Sequence, residues 1–143
     1  MKKDDLKLLR EIQKETENGI AYIHLLQEKL GKMEIAKEVV RLEKSLQDYR
    51  ARVMEQITDR GEEVYQNPFL CGIGKAASVQ TRLMFDQSES HLAELILEEN
   101  NREISSLYRA VNHRKFAGKQ TVELANELIA YEKQQMEVFR NYL

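Results

Sequence analysis

Between Leu97 and Ile104 the chain reads Glu98-Glu99-Asn100-Asn101-Arg102-Glu103, a run without one apolar residue. Apolar residues recur at helical steps on both sides, so the run spans more than one turn and one core-facing layer is polar. A second break falls at Glu132, between Ile129 and Met136 of a later apolar stripe. Thr16 interrupts an earlier stripe and is flanked by Glu15 and Glu17. Glutamates on facing helices can hold a hard cation through oxygen. They can also persist as hydrogen-bonded groups, with Tyr22, Tyr49, Tyr108, Tyr131, Asn100 and Arg102 as available partners. A third reading places them at a homo-oligomer surface or a cleft, where they meet solvent and a partner.

Four segments carry the helical period that must position these residues. The first runs from about Asp4 to Leu30, with Leu9, Ile12, Ile20, Ile23, Leu26 and Leu30 on its stripe and Thr16 and Gly19 inside it. Gly31 supplies a stop, because glycine adopts the left-handed conformation cheaply. The second starts at about Glu34 and carries Val39, Leu42, Leu46, Tyr49, Val53 and Ile57. It must end before Asn67-Pro68, since the residue before proline disfavours the helical region, and Gly61 is an earlier candidate stop. The third long helix spans about Ser88 to His113, opened by Asp86 and Glu89 in the spacing of a capping box. The last spans about Thr121 to Tyr142, with Val122, Ala125, Ile129, Met136, Phe139 and Leu143 on its stripe.

The middle connection decides the topology. The first two helices are joined by a few residues, which makes them antiparallel neighbours. From Pro68 to Phe85 the chain is short-stepped and glycine-spaced, and Ile73, Ala76, Ala77, Gln80, Leu83 and Met84 predict a shorter helix. A helix of about 14 residues with about 5 extended residues reaches about 37 Å, the length of a 25-residue helix. That reach makes the second and third long helices parallel.

The residues Glu17-Asn18-Gly19-Ile20, the crossover from Gly72 to Phe85, and the stretch Glu94 to Val111 carry a likeness, most characteristically Glu98-Glu99 followed by Tyr108-Arg109-Ala110. On these residues the chain resembles the ferritin-like superfamily, and more closely the small bacterial ferritin-like proteins of unknown function whose crossover contains a short helix. The resemblance implies an all-α, ferritin-like four-helix bundle with a long crossover containing a short helix between the second and third long helices. In the metal-binding branch, two helices each give a glutamate and two others each give a Glu-x-x-His motif. Carried onto this chain, the metal ligands would be Glu43, Glu99, Glu103 and Glu132, with iron or manganese as the metal. The third residue after Glu43 is Leu46 and the third after Glu132 is Gln135, so both imidazoles of the motif are missing. His24, His91 and His113 lie at different heights and read as surface or boundary residues.

The 143 residues predict one domain over 1–143, long enough to bury a sizeable core. Twenty-two basic and 24 acidic residues are interspersed, for a formal charge of −2. That pattern predicts no nucleic-acid surface and no polybasic membrane anchor. No apolar run of about 18 residues and no signal peptide is visible, which predicts a cytoplasmic protein. Cys71 is alone and reads as a packed thiol. No nucleophile–base spacing, phosphate-binding glycine loop or cysteine cluster is present, and Gly72-Ile73-Gly74 reads as a helix start.

The expectation is a non-catalytic bundle without a cofactor, acting as a structural or protein-interaction component. Self-association, as a dimer, is expected through Leu8, Leu25 and Leu95, which broaden the main stripes. The alternative is a carboxylate-rich di-metal protein with an incomplete ligand set, binding iron or manganese or acting as an oxidase.

Overall fold

Helical period and two left-handed glycines determine where the elements begin and end. The computed structural model describes residues 2–66 and 73–143. Its elements are α1 (Lys2–Leu30), α2 (Ile35–Asp59), α3 (Ile73–Phe85), α4 (Glu89–His113) and α5 (Lys119–Arg140). Among the described residues there is no strand, and no helix is long and apolar enough to cross a membrane. Asn67, Pro68, Cys71 and Gly72, on which the expected proline stop, the lone thiol and the glycine pair rest, lie outside the described residues.

Gly31 has φ 51° and Gly61 has φ 74°, so each terminates the helix before it in the conformation that glycine alone reaches without strain. Of the two stops predicted for the second helix, the one at Gly61 is used. The start of α4 is built differently from the Asp86–Glu89 pairing predicted for it. Ser88 is the N-cap, its hydroxyl accepting from the His91 N–H at 3.2 Å. Asp86 accepts from the Ser88 N–H at 2.9 Å. Glu89 turns away to the start of α2 and accepts from the Ile35 N–H at 2.9 Å.

Cross-helix bonds give the directions. Glu17 with Arg50 and Glu43 with His24 make α1 and α2 antiparallel. Glu15 with Arg102 and the Leu95 carbonyl with the Tyr22 hydroxyl do the same for α1 and α4. Arg52 with Glu127, and Arg60 with Thr121, do so for α2 and α5. The Ile35–Glu89 bond joins the starts of α2 and α4, which therefore run parallel. Two antiparallel pairs are thus linked by a chain that climbs the bundle.

That climb crosses α1. The Tyr65 carbonyl accepts from Gln13 Nε2 at 2.8 Å, and the Arg10 guanidinium lies 4.0 Å from the Tyr65 ring centre. Further along, α3 buries Val79 and Leu83, one turn apart, while Met84 and Phe85 are exposed. The predicted stripe of this short helix is therefore displaced, with Val79 replacing Met84. Arg82 grips Glu98 of α4 through both carboxylate oxygens, at 2.5 and 2.9 Å. With α2 and α4 as neighbours and the climbing segment across it, α1 is buried on every face from Glu15 to Ile20. Leu8 and Leu95 are fully buried inside this chain. They cannot form the expected self-association surface, because α1 and α4 use them against each other's surroundings in the core.

The lower end of the bundle is fastened by the first turn of α1. Asp4 accepts from the Phe116 N–H at 3.0 Å, and Asp5 accepts from the Gly118 N–H at the N-cap of α5. Asp5→Ala removes a charge-assisted bond from a partly buried turn and lowers the unfolding free energy by about 1–2 kcal/mol. Urea denaturation checks this, and a change below about 0.5 kcal/mol contradicts it.

Candidate functional site

The polar run of α4 does enter the core. Glu99, Asn100 and Glu103 are buried, and α5 presents Glu132 and Gln135 to the same layer. A helical step explains the set: Glu99 and Glu103 are four residues apart, so both face inward from consecutive turns. The α1 contribution is Glu15 and Gly19, and the α2 contribution is apolar, from Leu42 and Leu46.

Two subsites share the charge. In the first, Arg102 Nη2 donates to Glu15 at 3.0 Å and to Glu99 at 2.9 Å, and Arg102 Nε adds a longer bond to Glu99 at 3.3 Å. Burial disfavours the charged guanidinium, but the two carboxylates outweigh it and hold its pKa above the ordinary range. Burial raises Glu15, and Arg102 only partly reverses that rise. One cation therefore serves two carboxylates.

In the second subsite Glu103 and Glu132, each 1% exposed, are near enough for each to act on the other's titration, with a hydrogen bond between them available. Two carboxyl groups can bond this way only when one carries the proton. Burial pushes Glu103 well above the usual carboxylate range, with Glu132 as the next cause. Burial also pushes Glu132 up to about 7, against the lowering effect of the bond from Glu103. The pair titrates as a unit and carries a proton where ordinary carboxylates have lost theirs.

The remaining oxygens explain Gly19. A Cβ at this position would lie 2.8 Å from Glu103 Oε1 and 3.0 Å from Leu46 Cδ1. Glycine thus lets α1 approach a buried carboxyl group. Beside it is a cavity of about 10 Å³, lined by Gly19, Leu46, Asn100 and Glu103 among others. That is the size of a single water, and Asn100 Nδ2 and Glu103 Oε1 are buried atoms that no protein group reaches. On the α5 side the same holds for Glu132 Oε2 and Gln135 Oε1.

Of the four predicted metal ligands, Glu99, Glu103 and Glu132 come together and Glu43 does not. Glu43 accepts from Gln27 Nε2 at 2.5 Å and pairs with His24 Nε2 at 2.7 Å, at the exposed seam of α1 and α2. It follows Leu42 by one residue, a turn of about 100°, which takes it off the core stripe. Thr16, although fully buried, spends its hydroxyl on the Gln13 carbonyl at 2.8 Å. Of the partners proposed for the carboxylates, Arg102 takes the role, while Tyr108 pairs with Lys133 and Tyr22 with a backbone carbonyl. Glu15 belongs to the layer and was signalled only by its place next to Thr16. The interior glycine of α1 was the other visible signal.

The layer does not fit a pair of metal ions. A permanently charged guanidinium sits between two of its carboxylates, the α2 position facing it is Leu46, and no imidazole enters it. Among the described residues no group of three His, Cys, Asp or Glu side chains could hold a metal ion. No family model, no curated protein and no solved structure matches the chain. What the layer can do by itself is hold a proton between Glu103 and Glu132 and bind one water beside Asn100.

Two outcomes follow from this geometry. Alanine is a better helix former than glycine by about 0.8–1 kcal/mol, yet Gly19→Ala lowers stability by about 1–3 kcal/mol through overpacking. In a Glu103→Ala background most of that loss disappears, as a double-mutant cycle reads. The second concerns pH. Folded-state pKa values above the ordinary carboxylate value mean that the folded chain binds more protons than the unfolded one. Stability is then greatest at the acid side and falls as pH rises from about 5 through about 7. The slope is at most about 1.4 kcal/mol per pH unit for one proton. Urea titrations across this window show a shallower slope for Glu103→Gln than for the native chain; parallel curves contradict the shared proton.

Proposed function

We propose that this chain is a non-catalytic, ferritin-like helical bundle of the cytoplasm, with a structural or protein-interaction role as a homo-oligomer. The observation that carries this reading is the closed state of its polar layer. Arg102 already serves Glu15 and Glu99, and the adjoining cavity of about 10 Å³ admits a water and nothing larger. Sites that bind and turn over small molecules take about 300–1,000 Å³, so the layer itself is too small for one; the cavity of about 560 Å³ beside Asp5, Asp59 and Arg60 lies outside it. The order of helices, two antiparallel pairs with α2 and α4 parallel and a short helix in the crossover, supports the ferritin-like reading. Exposed apolar side chains support the association role. Met84 is 79% and Phe85 85% exposed at the end of α3, whereas Leu8 and Leu95 are buried.

The second reading is a carboxylate-rich di-metal protein with an incomplete ligand set, binding iron or manganese or acting as an oxidase; the convergence of Glu15, Glu99, Glu103 and Glu132 from three helices is the observation for it, and the Arg102 guanidinium between two of them stands against it. The two readings separate on metal content. Protein purified without a histidine tag or chelator, then loaded with iron or manganese, is expected to hold far less than one ion per chain. Stoichiometric metal that is lost in both Glu99→Ala and Glu132→Ala overturns the first reading. The double variant Glu103→Leu/Glu132→Leu adds a stability readout. Replacing both members of the buried pair with packed apolar groups is expected to be neutral or stabilising by about 1–4 kcal/mol, whereas metal ligands would lose metal-dependent stabilisation.

A further inference from the structure

Away from the polar layer, a groove of about 190 Å³ lies between α1 and α4. Lys14 of α1 and Ser106, Arg109 and His113 of α4 line it, together with Arg114, the residue that ends α4. Ala110 gives the room, because its small side chain leaves the seam between the helices open. Two carboxylates also face the groove. Glu15 is already held by Arg102 at 3.0 Å. Glu11 stands 3.6 Å from Arg114 Nη2, beyond hydrogen-bond distance. Neither Lys14 nor Arg109 forms an ion pair among the described residues. Arg114 Nε is buried and no protein acceptor reaches it. The Arg114 N–H is therefore a donor that a ligand seated in the groove could use.

We infer that this groove is a binding site for one small oxyanion of the phosphate class, held by Arg109, Arg114 and Lys14 with the Ser106 hydroxyl. Guanidinium groups present planar forks of N–H donors that match tetrahedral oxyanions, and lysine adds a point charge. Three cations face two carboxylates; Glu15 is held by Arg102 and Glu11 is ion-paired with Arg114 at 3.6 Å, which leaves Lys14 and Arg109 in surplus. The end of α4 opposes an anion, but with only about half an elementary charge, less than the surplus of the cations. The volume sets the size of the ligand: it suits a single phosphate group and is below the range of about 300–1,000 Å³ for drug-sized ligands.

The test uses the full chain and inorganic phosphate, titrated at constant ionic strength against chloride and followed by amide NMR. Saturable shifts at Lys14, Ser106, Arg109 and Arg114 are expected with phosphate alone. Arg109→Ala and Lys14→Ala each weaken binding by about tenfold, the scale of one charge-assisted hydrogen bond. Lys119→Ala, a remote exposed cation, leaves affinity unchanged. A second arm uses vesicles containing phosphatidic acid. Phosphate binding without vesicle capture supports a free ion as the source, and capture that phosphate displaces supports a lipid headgroup carrying the same group. Shifts that never saturate, that chloride reproduces, or that Lys119→Ala weakens as much as Arg109→Ala overturn the proposal.

Discussion

A carboxylate withdrawn from water into the middle of a helical bundle must be neutralised, because desolvation costs several kcal/mol per ion. Glu15, Glu17, Glu99, Glu103 and Glu132 are all buried, and each is answered in one of three ways. Arg102 serves Glu15 and Glu99 by direct donation. Glu17 accepts from Gln13 Nε2 at 2.5 Å with Arg50 at 3.5 Å. Glu103 and Glu132 answer each other with a proton. The third solution is the one that leaves marks elsewhere: a glycine in α1, leucines on the α2 face, and a cavity the size of one water.

The placement of α1 makes these solutions possible. A helix with two packed neighbours has a solvated back. This one has a segment of the crossover against it, pinned by Gln13 and Arg10 to Tyr65. Its central residues have no face left for water. Arg102 reaches Glu15 and Glu99 from a seam that is still part-solvated, its own side chain 40% exposed while both carboxylates are buried.

How much of this was legible in the residues follows from what periodicity measures. A helical stripe reports one buried face, so the gap from Glu98 to Glu103 and the break at Glu132 were visible as a polar layer. Periodicity does not count neighbours. Glu15 and Glu17 flank Thr16 and so read as the edge of a stripe, and each is covered from a different side, Glu15 by Arg102 of α4 and Glu17 by Arg50 of α2. The same blindness made Leu8 and Leu95 look like spare apolar surface, when each has a core neighbour within the chain. Glu43 failed in the opposite sense. Its depth along α2 is right for the layer, but one residue of rotation takes it to the seam with His24. The cap at Ser88 was a competition between two suitable oxygens two residues apart, and the wider tertiary bond from Glu89 to Ile35 decided it.

The layer also constrains how the helices can slide. Moving α5 by one turn against α4 shifts Glu132 about 5.4 Å along the bundle, away from Glu103 and among the leucines of the adjoining layers. Both carboxyl groups would then be buried without each other, at a cost of several kcal/mol that apolar packing on the slipped register does not return. A layer of leucines at the same height would accept the slip, because apolar contacts are interchangeable to within about 1.5 kcal/mol when volumes match. Register discrimination therefore comes from the least stable kind of core contact, and it needs the Gly19 backbone and the Arg102 bridge to stay in place on the α1 side. The same dependence makes α1 the element whose position every other helix must respect: moved outward it strands Glu103 and Glu15 together, and moved inward it meets Glu103 at Gly19.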